Sequence, residues 1–102
     1  MSNQENSVKP TFLLTIICES VLRQRIVQLL KSKGASGYTI NDVLGEGGHG
    51  RRLGDIAGFN TNIEVKTLIS IDVSDEIIEG LSEMRKGHAL IAFQHEIDPL
   101  IY

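Results

Sequence analysis

NIEVKTLIS, Asn62 to Ser70, alternates so that Ile63, Val65, Thr67 and Ile69 share one side. Successive side chains of an extended strand point to opposite faces, so this period of two predicts a half-buried strand. Downstream, the spacing changes. Asp72 or Ser74 is expected to begin a helix with Asp75 and Glu76 in its first turn, where acidic side chains suit the helix dipole. Its inward stripe is Ile77, Leu81 and Met84, and Arg85 and Lys86 precede the stop at Gly87. HALIAFQHEI, His88 to Ile97, predicts another strand, ended by Pro99.

Upstream lies GEGGHGRRLGDIAG, Gly45 to Gly58, which holds six of the ten glycines of the chain and has no apolar period of either kind. Before it, YTINDVL, Tyr38 to Leu44, alternates in part and predicts a strand. Leu22, Ile26, Leu29 and Leu30 recur at helical spacing, which predicts a helix from about Val21 to Lys33, capped by Ser20 and stopped at Gly34. TFLLTIICE, Thr11 to Glu19, is short and rich in β-branched residues, as a buried strand requires, and its nearly unbroken apolar run predicts packing on both faces. Residues 1–10 are polar and expected to be a flexible N-terminus, leaving residues 11–102 as one domain.

The order strand, helix, strand, loop, strand, helix, strand predicts an α+β, ferredoxin-like βαββαβ fold, a four-stranded antiparallel sheet with two helices on one face. The other face needs cover if it is apolar, and a chain of 102 residues gains from association with copies of itself. A net charge of −3 with dispersed basic residues argues against a nucleic-acid partner. Cys18 is the sole cysteine, so no intrachain disulfide is expected. No apolar run reaches the roughly 20 residues of a membrane span and no signal peptide is evident, so a cytoplasmic protein is expected, reaching membranes only through a partner.

The glycine loop admits two readings. Glycines let backbone N–H groups converge on an anion, and the Arg51 and Arg52 guanidiniums beside them can hold phosphate oxygens bidentately. The alternative is a solvated connector.

GASGYTINDVLGEGGHGRR, Gly34 to Arg52, resembles the Gly-x-x-Gly-aromatic-or-Met-Thr-Val-x-x-x-x-Gly-x-Gly segment of PII signalling proteins, with Ile40 in place of the valine. The resemblance implies a homotrimer of ferredoxin-like subunits in which residues of about 45–61 form the partner-contacting T-loop and adenine nucleotides occupy clefts between subunits. It implies that Gly37, Tyr38 and Thr39 face the base and ribose, that Gly45 and Gly47 lie along the phosphates, and that Gly87 belongs to a remnant of the second nucleotide-contacting loop. The departures are specific. Gly48 and His49 stand where ATP-binding members carry Arg and Gln, the second loop is reduced to MRKGH, and His88 replaces its phosphate-binding lysine. The modifiable T-loop tyrosine and the C-terminal arginines have no counterpart, so uridylylation is not expected.

This pattern is closer to the PII-like branch that includes bicarbonate-transporter regulators. The implied function is signal transduction in nitrogen or carbon metabolism by a non-enzymatic sensor of AMP, cyclic AMP or ADP. Arg51 or Arg52 would partly replace the missing cations, and the T-loop would regulate a transporter or metabolic enzyme. The nucleotide is an effector, and no cofactor is expected. The alternative is a nucleotide-independent or metal-responsive trimeric module of the same fold.

Other chemistry finds little footing. Cys18, His49, His88 and His95 lack close metal-ligand spacing, and Cys18 reads as a small core residue. His88 and His95, seven apart on an expected strand, would point to opposite faces. Asp42, Glu46 and Asp55 surround the loop without a nucleophile and base, so no catalytic residue is assigned. Glu64 and Lys66 are expected to form a solvated or intersubunit ion pair.

Overall fold

The computed structural model describes residues 10–44 and 62–101. Strand β1 spans Thr11–Glu19, helix α1 Arg23–Ser32, β2 Thr39–Val43, β3 Asn62–Ser70, α2 Ile71–Met84 and β4 Leu90–Ile97. The strands form one antiparallel sheet in the order β2-β3-β1-β4. This is the expected ferredoxin-like βαββαβ architecture. The expectations for the N-terminus before Pro10 and for the T-loop at about 45–61 lie outside the described residues.

Register divides the sheet into two unlike faces. Ile16 opposes Val65, Cys18 opposes Ile63 and Leu14 opposes Thr67. These side chains are buried together with Leu22, Ile26 and Leu30 from the first helical segment and Ile77, Leu81 and Met84 from α2. The period-two stripe of β3 and the helical stripes thus meet as read. The opposite face carries Leu13, Thr15 and Ile17 of β1, Glu64, Lys66 and Leu68 of β3, Thr39 of β2, and Ile91, Phe93 and His95 of β4. No described helix covers it. β4 sends Ala92 and Gln94 toward the helices and its larger apolar residues, Ile91 and Phe93, the other way.

Both helix starts differ from expectation. Ser20 does not cap α1. It opens a 3₁₀ turn, Ser20–Leu22, whose last residue is driven into the core, and the backbone N–H of Arg23 closes that turn on the Ser20 carbonyl. In α2, Ser70 is the cap, its Oγ accepting from the Val73 N–H at 3.4 Å, and Asp72 is the acidic residue of the first turn. Ser74 lies farther inside the helix, fully buried, because the stripe of Ile77 and Leu81 continues back through it, and its hydroxyl donates to Gln94 Oε1 of β4.

The end of α1 is as expected. Gly34 takes φ +86°, its N–H bonds to the Lys31 carbonyl at 3.2 Å, and Ala35 N–H reaches the Leu30 carbonyl at 3.0 Å. That pair of bonds is a Schellman stop, which turns the chain toward β2. Gly80 has a different purpose. A Cβ there would come within 2.7 Å of Leu29 Cδ1, so the missing side chain lets the helices approach. Lys33 Nζ and Glu76 Oε1, 3.7 Å apart, bridge the same helices at the surface.

Candidate functional site

A pocket of about 270 Å³ lies where the chain enters β2. Ser36, Gly37, Tyr38 and Thr39 form its outer wall, with Leu13 of β1 and Lys66, Thr67 and Leu68 of β3 behind them. Thr39 is the cross-strand partner of Lys66, and Lys66 in turn opposes Thr15. Thr67 points to the helix side, yet its Oγ1 donates to the Gly37 carbonyl at 2.6 Å and fastens the approach to β2 onto β3. A Cβ at Gly37 would meet nothing within 4 Å, so the packing of the chain itself does not require glycine there.

Gly37, Tyr38 and Thr39, three residues singled out from the sequence, therefore share one concave surface. Gly87 and His88 do not join them. The Arg85–Gly87 segment is a 3₁₀ turn, and His88 follows it before β4 begins. His88 Nδ1 lies 2.9 Å from Glu19 Oε1 at the far end of β1. Thr15, level with Lys66 and Thr39, is separated from Glu19 by roughly 13 Å of strand. Gly45, Gly47, Arg51 and Arg52 lie outside the described residues.

The strand-parity argument for the two histidines does not apply, because His88 stands outside β4. Its Glu19 partner is 69 residues away, a contact that no local spacing announces. His95 lies on the open face opposite Leu13. Lys66 forms the ion pair expected of it, its Nζ 3.7 Å from Glu64 Oε1. Its place in the pocket follows from the pairing of β2 with β3, which crosses the undescribed segment. Another surface pair, Arg23 with Asp42 at 3.7 Å, ties the start of α1 to β2 on the helix side.

Cys18 is a core residue, as expected. Burial, with the Glu19 charge adding to it, pushes its thiol from 9.0 up to about 11, so it is a neutral apolar side chain near neutral pH. Among the described residues no group of three or more His, Cys, Asp or Glu side chains is placed to hold a metal ion. Among the same residues no helix is long and apolar enough to cross a membrane.

Residues 11–97 match the family model described as nitrogen regulatory protein P-II. Among solved structures, the chain is similar to CPII, a nitrogen regulatory PII-like protein from Thiomonas intermedia K12, bound to ADP, AMP and bicarbonate, with a TM-score of 0.75, 26% identity and 86% of each chain covered. It is also similar to a PII-like signalling protein of Thermus thermophilus, with a TM-score of 0.71, 33% identity and 87% of each chain covered. A DUF3240 family protein from Shewanella baltica, 15% identical with a TM-score of 0.69 over 88% of this chain and 92% of that one, shares the fold. No curated protein matches the chain. The chain belongs to the nitrogen regulatory protein P-II family, and within it stands with the PII-like signalling proteins.

Proposed function

We propose that this PII-like signalling protein is a non-enzymatic sensor of an adenine nucleotide, AMP, cyclic AMP or ADP, and that it regulates a transporter or metabolic enzyme through the segment of about residues 45–61. The observation that carries this reading is the convergence of Gly37, Tyr38 and Thr39 on one pocket. Leu13 and Leu68 offer apolar surface to a base, Tyr38 an aromatic ring and Thr39 a hydroxyl. The vacant space beside Gly37 leaves its backbone open to a ligand. The Thiomonas relative, 26% identical, was solved with ADP, AMP and bicarbonate, which supports the same ligand class here.

The functional unit in this reading is a homotrimer. Ile91 and Phe93 are 59% and 48% exposed on the open face, apolar surface that a neighbouring subunit would cover. A neighbour is also needed if Gly87 and His88 are to meet a nucleotide in the Gly37–Thr39 pocket, since one chain holds the two sets apart. Gly45, Gly47, Arg51 and Arg52 are assigned to the phosphates in the same reading.

A thermal-shift series with AMP, ADP, ATP and cyclic AMP, paired with light scattering, tests it. A ligand at 100 times its Kd adds about 2.7 kcal/mol to a one-site native state, which raises the Tm of a domain of this size by several degrees or more. The expected result is a trimer stabilised by AMP, cyclic AMP or ADP. A monomer of 11.2 kDa whose Tm none of the four moves at millimolar concentration would overturn the proposal.

A further inference from the structure

Among the described residues that line the β2-entry pocket, Lys66 is the only one with a charged side chain. The rest of that described lining is apolar or neutral, so within it a charge on the ligand finds its counter-charge in this ammonium. Its position is favourable. Lys66 stands in the sheet between Thr39 on β2 and Thr15 on β1, both directly opposite it. Cross-strand neighbours have Cβ atoms about 5 Å apart, so the ammonium and the Thr39 hydroxyl can reach the same small group.

In the structure the ammonium is turned to Glu64, two residues away on the same face, at 3.7 Å. That separation is longer than the roughly 2.8 Å of a direct charge-assisted hydrogen bond. The Lys66 side chain is also 46% exposed, and ion pairs in such surroundings contribute little to stability. A lysine on a flexible four-carbon stem can therefore leave this carboxylate for a stronger anion at small cost.

We propose that Lys66 reads the phosphate of the bound nucleotide, and that Glu64 is an internal competitor that holds the ammonium when no anion is present. This rests on the nucleotide reading above and extends it to a residue that determines specificity. A phosphate dianion replaces one carboxylate charge with two and offers more acceptor oxygens. An uncharged nucleoside meets the same apolar walls without that exchange. Glu64 acts against the anion twice, by occupying Lys66 and by repelling the phosphate. The pocket should therefore select for charge on the ligand, with Lys66 supplying the preference and Glu64 limiting it.

The test is calorimetric titration of the full chain with AMP and with adenosine, for the unchanged protein and for Lys66→Met, Lys66→Arg and Glu64→Gln. Circular dichroism melts verify the fold of each variant. Lys66→Met is expected to weaken AMP binding about tenfold or more, in the range of a lost charge-assisted contact, while adenosine stays within about twofold. Lys66→Arg should keep the preference for AMP, and Glu64→Gln should tighten AMP several-fold without changing adenosine. If Lys66→Met weakens both ligands equally, or Glu64→Gln leaves AMP unmoved, the assignment is overturned while nucleotide binding stands. If the unchanged protein binds neither AMP nor adenosine, the role of Lys66 falls, and if ADP and cyclic AMP also fail to bind, the nucleotide reading falls with it.

Discussion

On the helix-covered side of the sheet, Leu14, Ile16, Ile63 and Val65 have no exposed surface. On the other side of the same strands Leu13, Ile17 and Leu68 keep part of theirs, and Ile91 and Phe93 keep about half. The two faces differ in what completes them. The covered face closes within one chain, through two helices whose stripes fit the sheet and whose contact at Leu29 is relieved by Gly80. The open face is covered by no described helix, and it also carries the pocket, Lys66 and Glu64. On the proposed function, stability and recognition fall to alternate residues of the same strands, so neighbouring substitutions should have unlike consequences.

The largest effect is expected from Ile16→Ala, which empties a site at the centre of the covered face. Loss of a fully buried isoleucine side chain costs about 2–5 kcal/mol, read as a lowered urea midpoint with an unchanged slope. A loss below about 1 kcal/mol would show that the covered face is not the core. Gly80→Val comes next. The added carbons would collide with Leu29, and a loss of about 1–3 kcal/mol is expected in the same measurement. Gly80→Ala should be milder, since alanine is about 1 kcal/mol better than glycine in a helix and the end of Leu29 can give way.

The acidity of Cys18 gives a third measurement, on the covered face alone. Its thiol is held up to about 11 in the folded chain against 9.0 when unconstrained. Between those values the unfolded chain has released a proton that the folded chain retains, so the unfolded state is favoured as pH rises. This contribution is complete below the unconstrained value of 9.0 and lost as pH approaches about 11. Urea midpoints at about pH 8 and about pH 10.5, on either side of the unconstrained value, should therefore move closer together in Cys18→Ala than in the unchanged protein. An unaltered difference would mean that the thiol is solvated.

Thr67→Val sharpens the comparison from a residue that serves both faces. Its methyl packs with the covered side, but its hydroxyl holds the Gly37 carbonyl beside the pocket. A stability loss of about 1 kcal/mol is expected, together with a weaker Tm shift by AMP. If the AMP shift is unchanged, the bond is structural only. The smallest effect on the fold belongs to Phe93→Ser. It should leave the circular dichroism spectrum intact while lowering the mass measured by light scattering, and a collapse of secondary structure would erase the distinction between the faces.

The covered face was legible in the sequence because its information is local. Alternation in Asn62–Ser70, the helical spacing of Ile77, Leu81 and Met84, and the glycine after Lys33 each act within one element. Helix starts were less so. Ser20, Ser70, Asp72 and Ser74 are all acceptable caps, and the choice fell to which residue the buried stripe claimed. The Gly37–Thr39 stretch stood out through its motif, and it lines a pocket. The places of Lys66 in the pocket and of Glu19 beside His88 were not legible, because they depend on strand register and on contacts between distant segments, which spacing does not encode. Charge alone made Lys66 look like any solvated strand residue.

The bond from the Ser74 hydroxyl to Gln94 gives β4 an address. By apolar content alone, Ile91 and Phe93 are better suited to the helices than Ala92 and Gln94, and sliding this edge strand by one residue would put them there. The slid arrangement would strand a buried serine without its acceptor and carry the Gln94 amide to the opposite face. A single polar contact thus discriminates against a misfolded chain that hides its greasy edge inside.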